Sequence, residues 1–80
     1  MEIYIKQLEE DVLFLIFTEV NENRMTTERA QELAGAILDI VKEGTTAEQL
    51  KNSLPFWEKY PEFQRITEKI KTDIANNKIL

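Results

Sequence analysis

The residue types that most enzymes use for catalysis near neutral pH are missing from this sequence. Its 80 residues contain no histidine and no cysteine, which removes the usual general base, the commonest zinc ligand and the thiolate nucleophile. Carboxylates, lysines, threonines, tyrosines and Ser53 remain, but a small helical domain has little volume for a concave pocket once its core is filled. We therefore predict that the protein is not an enzyme, with no catalytic, metal-binding or cofactor-binding residues and no small-molecule substrate.

The run Glu9, Glu10 and Asp11 places three carboxylates side by side in the sequence. Carboxylates of this kind suit a hard cation or an acid–base pair. On a helix, however, three consecutive side chains spread over about 200° of the circumference, so they cannot converge on one ion without another element. We interpret the run as a solvated, charged turn. The loop of residues 21–23 also lacks the aspartates and the glycine of an EF-hand.

The charge balance argues against a nucleic-acid partner. The formal net charge of −5 gives DNA or RNA a repulsive mean field. The turn at Gly44 before a short helix invites comparison with a helix-turn-helix motif. That short helix presents Lys51 as its one cation beside Glu48, Gln49 and Asn52, which does not make the basic surface of a DNA reader. We expect no nucleic-acid binding.

The lysines near the end of the sequence are mixed with acidic residues. Lys69, Lys71 and Lys78 are interleaved with Glu68 and Asp73. Alternating charges are typical of a solvent-exposed helix face. We interpret this stretch as a mixed, solvated face.

The length and the cysteine count bound the architecture and the compartment. A chain of 80 residues buries only roughly 60% of its unfolded surface, so we predict a single domain over residues 1–80. Without cysteine its stability must come from packing alone, which fits a reducing cytosol.

The longest apolar run, residues 12–17, is far shorter than the ~20 residues that span a bilayer. Glu2 stands where a secretory signal would be basic, and we expect a soluble, cytoplasmic protein without membrane contact.

Apolar residues at spacings of three and four predict a second helix over residues 27–43. Thr26 or Thr27 can cap its start, and Gly44 can supply the left-handed residue that ends it. Gly35 lies inside this helix and leaves two alternatives open. It either permits close approach of a neighbouring helix or faces solvent and merely weakens the helix.

The remainder of the chain is predicted to hold a short helix, an aromatic corner and a last helix. Thr45 and Glu48 match a capping box that starts the short third helix of about ten residues, which ends by Leu54 because Pro55 follows. One turn follows between the two prolines. Pro61 suits the first position of a helix that we predict over residues 61–77, with four inward residues: Phe63, Ile66, Ile70 and Ile74.

The first twenty residues are compatible with a helix or a β-hairpin. Residues 2–5 and 12–17 are rich in β-branched and aromatic side chains, as strands are. The intervening residues contain no glycine, proline or asparagine for a tight turn, so we prefer one helix over residues 3–21. Short connections between these elements predict an all-α, compact four-helix bundle of three long helices and one short helix, with a proline-bracketed aromatic turn.

The predicted first helix has more apolar surface than a small core can cover. Six consecutive apolar residues, 12–17, leave no polar side at that level. We expect Phe14, with Ile3 and Phe17, to stay partly uncovered and to form a protein interface, most simply a symmetric homodimer. The alternative is that other elements enclose this helix completely.

A second candidate surface is the aromatic cluster, defined as Phe56, Trp57, Tyr60 and Phe63. Aromatic side chains on a rigid corner can anchor a partner or close the end of a helical bundle. We favour the core role for the cluster as a whole and predict Trp57 or Tyr60 as the member that reaches the surface, so both are added to the predicted interface.

These features together favour a small helical protein-interaction module that associates with itself through its first helix. The alternative is a small acidic inhibitor or immunity-type protein that covers a basic surface of a larger protein, with the net charge and the carboxylates of the first two helices as the means. Salt weakens charge-driven association and spares apolar association, which distinguishes the two.

Overall fold

The computed structural model of the chain describes residues 2–79, which form five α-helices and one 3₁₀ turn. The predicted all-α bundle is confirmed, and Glu2–Asn21 form one helix and not a hairpin. Among residues 2–79 the molecule measures 36 × 22 × 19 Å. The helices are α1 (Glu2–Asn21), α2 (Thr27–Leu38), α3 (Ala47–Asn52), α4 (Leu54–Glu58) and α5 (Gln64–Ala75), and the 3₁₀ turn is Pro61–Phe63.

Helix α1 is the longest element and carries one row of buried side chains. Ile5, Leu8, Val12 and Ile16 recur at spacings of three and four and are all buried, so one stripe of the helix faces the core. Beyond the helix, Asn23 adopts a φ of 59°, a left-handed conformation that asparagine tolerates at helix ends. The predicted start and end of this helix agree with the structure to within one residue.

Helix α2 is shorter than predicted. Thr26 caps its start by accepting a hydrogen bond from the Arg29 amide at 3.1 Å, but the helix ends at Leu38, so the prediction of a helix to residue 43 is wrong. The Thr45 hydroxyl donates to the Ile40 carbonyl at 2.8 Å, which stabilises a non-helical path through the next residues. That path carries Val41 into the core, where it is fully buried.

The capping box of α3 is shifted by one residue from its predicted position. Thr46 accepts from the Gln49 amide at 3.1 Å, and Gln49 Oε1 accepts from the Thr46 amide at 2.9 Å. The predicted pair Thr45 and Glu48 is wrong because the Thr45 hydroxyl is buried and bonded to Ile40. Helix α3 has six residues and not about ten.

The two prolines mark the start of α4 and of the 3₁₀ turn. Pro55 lies in the first turn of α4, where its missing N–H leaves no helical bond unmade. Pro61 begins the 3₁₀ turn that leads into α5. The predicted helix over residues 61–77 therefore begins as a 3₁₀ turn and ends before Asn77, whose φ is 55°.

The core combines the buried row of α1 with side chains from every later element. The ring centroids of Trp57 and Phe63 are 5.4 Å apart in an edge-to-face arrangement, which is a favourable geometry for two aromatic rings. Ile66 and Ile74, predicted to face inward, are half-buried. The other fully buried side chains are Val12, Leu33, Ile37, Val41, Leu50 and Ile70.

Candidate functional site

The outer side of α1 exposes three large apolar side chains. Ile3 is 86%, Phe14 74% and Phe17 67% exposed. Phe14 lies two residues from both Val12 and Ile16, which places it about 160° around the helix from these core residues. The sequence forces this exposure, because a helix cannot turn six consecutive apolar residues toward one core.

Polar residues extend the line of the two phenyl rings. Glu10, Phe14, Phe17 and Asn21 follow one another at spacings of four, three and four residues and are all exposed, and we call these four residues the outer row. A repeat of this kind keeps its members on one side of a helix. Ile3 precedes Glu10 by seven residues and lies on the same side. The outer row therefore has two phenyl rings at its centre, a carboxylate at one end and an amide at the other.

The aromatic cluster closes the core and lies apart from the outer row. Trp57 is fully buried, and its Nε1 donates to Ser53 Oγ at 3.0 Å. The prediction that Trp57 reaches the surface is therefore wrong, because the indole fills the space between α4 and the Phe63 ring. Five residues were predicted at an interface, and the structure brings only the three on α1 to one exposed face.

Tyr60 is half-buried and already has partners within the chain. Its ring lies 4.9 Å from the Phe56 ring, and the Arg29 guanidinium lies 5.2 Å from the ring centroid, close enough for a cation–π contact. Arg29 also donates two hydrogen bonds to Glu62, at 2.8 and 3.2 Å. These bonds lower the pKa of the Glu62 carboxyl below its ordinary value. Tyr60 therefore belongs to an internal contact between α2 and the 3₁₀ turn.

A polar cluster that the sequence did not reveal joins α1 to α5. The Tyr4 hydroxyl donates to Asp73 Oδ2 at 2.7 Å, and Lys69 Nζ donates to the same oxygen at 3.1 Å. Asp73 is buried, so the interpretation of this residue as part of a solvated face is wrong. The hydrogen bond from Tyr4 lowers the pKa of the Asp73 carboxyl, and burial with this bond raises the pKa of the Tyr4 hydroxyl. The tyrosine thus stays protonated and acts as a structural donor.

Several other charged side chains among residues 2–79 form ion pairs within the chain. No cluster of three or more histidine, cysteine, aspartate or glutamate side chains there could hold a metal ion. A cleft of about 350 Å³ lies beside α4 and α5, and Lys71 is the basic residue that lines it. The Lys71 Nζ lies 3.0 Å from Glu58 Oε1. The hydrogen bond to Glu58 raises the pKa of the Lys71 ammonium, which keeps it charged and unsuited to act as a base.

Comparison with known proteins found no relative of this chain. The sequence matches no protein-family model, and no similar chain was found among curated proteins or solved structures. Within residues 2–79, no helix has both the length and the apolar character needed to cross a bilayer. On the surface formed by residues 2–79, three of the four exposed large apolar side chains lie on α1.

Proposed function

We propose that this protein is a small cytoplasmic interaction module that associates with itself through the outer side of α1. The observation that carries the proposal is the exposure of Phe14 and Phe17, which lie three residues apart on one helix and are each at least two-thirds exposed. Single exposed apolar residues are common on protein surfaces, whereas adjacent ones that form a patch mark association sites. The absence of cysteine supports a reducing compartment.

A second copy of the chain is the partner that this patch fits best. A twofold-symmetric dimer places the same surface on both sides, so an apolar patch meets an apolar patch. Aromatic side chains are also enriched at the energetically dominant centres of interfaces. The patch lies on a helix of 20 residues, which gives a regular surface for helix–helix packing.

Net acidity supports a second candidate, an inhibitor that covers a basic surface of a larger protein. Glu28 and Glu32 are exposed on α2, and Glu10 is exposed on α1, so carboxylates are available on two neighbouring helices. Association of this kind would be steered by charge and would weaken steeply with ionic strength. Self-association through phenyl rings would persist in high salt.

Sedimentation equilibrium over a range from low micromolar to millimolar protein tests the proposed function. We expect the wild-type chain to dimerise reversibly in both low and high salt, and the double variant Phe14→Ser, Phe17→Ser to remain monomeric with an unchanged helical circular dichroism spectrum. Leu38→Ser is the matched control, because Leu38 is an exposed apolar residue of α2 at 53% exposure, and this variant should still dimerise. A wild-type chain that stays monomeric throughout would refute self-association.

A further inference from the structure

We infer that α1 pairs with α1 of a second copy in an antiparallel register that places Phe14 of each copy against Phe17 of the other. This inference rests on the proposed self-association and specifies its geometry. The same register places Glu10 of each copy opposite Asn21 of the other, because facing residues have numbers that add up to thirty-one. The four residues of the outer row are thus all used.

The spacing of the outer row supports the packing of one helix along another. Its members recur at four, three and four residues, which is the seam of a two-helix contact. Glu10 and Asn21 make no side-chain hydrogen bond to another residue of the described range 2–79. A carboxylate and an amide that face each other across the contact supply each other with an acceptor and a donor.

Charge disfavours the parallel arrangement. Two parallel helices in symmetric register would set Glu10 against its own copy, with Glu9 and Asp11 of both chains nearby. Like charges in such a position repel, and parallel helices also align their macrodipoles unfavourably. The antiparallel register places a neutral amide opposite each Glu10 and opposes the two dipoles.

Other antiparallel registers use the apolar residues less well. If facing numbers add up to twenty-four, Glu10 lies against Phe14, which desolvates a carboxylate on a phenyl ring. If they add up to seventeen, Ile3 lies against Phe14 while Phe17 faces a position beyond the helix. Of these three registers, the sum of thirty-one is the one that gathers four phenyl rings at the twofold axis. Ile3 then lies outside the contact.

The contact area predicts a weak and reversible dimer. Phenylalanine side chains bury on the order of 150–250 Å², so two rings that are each at least two-thirds exposed leave roughly 250 Å² uncovered per copy. The rings of two copies thus contribute roughly 500 Å², well below the ~1,200 Å² at which stable specific interfaces begin, so the dimer should be weak and should depend on flanking residues as well. Association should therefore be measured over a wide concentration range.

Disulfide trapping tests the register, since the chain has no cysteine of its own. We would prepare Glu10→Cys and Asn21→Cys as single variants and oxidise each alone and both mixed. The proposed register predicts efficient covalent dimers in the mixture and few in either variant alone. In this register the two copies of one position lie eleven residues apart along the paired helices, roughly 16 Å, too far for a disulfide. Efficient trapping of either single variant by itself would overturn the register.

Sedimentation of the reduced variants and of the wild type separates failure of the register from failure of self-association. If the wild type does not associate, the proposed function fails, and if it associates without the expected trapping pattern, only the register fails. Serine substitutions give a second readout that needs no cysteine. Phe14→Ser should raise the dissociation constant by more than about tenfold, whereas Ile3→Ser should change it by less than about twofold. Equal weakening by both would contradict the register.

Discussion

The Tyr4 hydroxyl donates a 2.7 Å hydrogen bond to the carboxylate of Asp73, a residue 69 positions away in the sequence. This bond ties the first turns of α1 to the last turns of α5. Lys69 contacts both members, with its ammonium 3.1 Å from the Asp73 oxygen and 5.1 Å from the centre of the Tyr4 ring. The ends of the described chain are thus joined by a charged hydrogen bond.

Replacement of Tyr4 with phenylalanine should lower the free energy of unfolding by about 1–2 kcal/mol, because a hydrogen bond to a charged group is lost and the buried Asp73 keeps only Lys69. Urea unfolding followed by circular dichroism measures the change. Tyr60→Phe is the matched control, since the Tyr60 hydroxyl makes no hydrogen bond within residues 2–79, and it should alter stability by a few tenths of a kcal/mol at most. An equal decrease in the free energy of unfolding in the two variants would show that the Tyr4 hydrogen bond does not stabilise the fold.

Stability should fall in acid partly through Asp73. The folded-state pKa of this carboxyl lies below its unfolded value, so its contribution is complete above the unfolded pKa, about 4, and is lost as pH falls through the lower folded pKa. Asp73→Asn should therefore be less stable than the wild type near neutral pH, and the difference should shrink as pH falls. Urea midpoints at about pH 6 and about pH 3 measure this, and a difference that stays constant would contradict it.

The two glycines should respond to alanine in opposite directions. A β-carbon added to Gly35 or to Gly44 meets no atom within 4 Å, but Gly44 has a φ of +90°. Gly35→Ala should stabilise the chain by up to about 1 kcal/mol, because alanine is the better helix former at an exposed position. Gly44→Ala should destabilise it by about 1–2 kcal/mol, because an L-residue is strained at positive φ. Thermal unfolding of both variants decides, and a loss at Gly35 would indicate a close approach that the structure lacks.

Trp57→Ala should unfold much of the population. The indole is fully buried, and truncation of such a ring costs about 3–5 kcal/mol, a large part of the stability of a small domain. Trp57→Phe keeps an aromatic ring and should remain folded with a smaller loss. Far-ultraviolet circular dichroism against temperature measures both variants. A folded Trp57→Ala chain that has lost only its association would restore Trp57 as an interface residue.

The sequence predicted the helices whose signals are local. Residues 6–11 contain no glycine, proline or asparagine for a tight turn, which correctly favoured a helix for α1. The predicted start of α3 was one residue too early because Thr45 and Thr46 are both good N-cap residues. The Thr45 hydroxyl bonds to the Ile40 carbonyl, which leaves Thr46 as the N-cap. Local propensity contains no information on that competition, and for the same reason it missed the early end of α2.

The candidate site was predictable only where periodicity determines exposure. A run of six apolar residues must leave some of them outside the core, and Phe14 and Phe17 are the exposed ones, as predicted. Trp57 was misplaced because an aromatic residue between prolines suits a core or a surface equally well. The hydrogen bond between Tyr4 and Asp73 could not be predicted from the sequence, since the two residues are 69 positions apart and meet only in the folded chain.

Helix α1 carries a buried row of side chains on one side (Ile5, Leu8, Val12 and Ile16) and the outer row on the other, so a partner bound to the outer row also stabilises the helix that the core holds. A second copy that docks on the two phenyl rings would bind the folded chain, in which Val12 and Ile16 are buried, and not the unfolded chain. Under the proposed pairing, mass action then makes the melting temperature rise with protein concentration. A chain diluted below its dissociation constant would therefore unfold at a lower temperature than the same chain at high concentration.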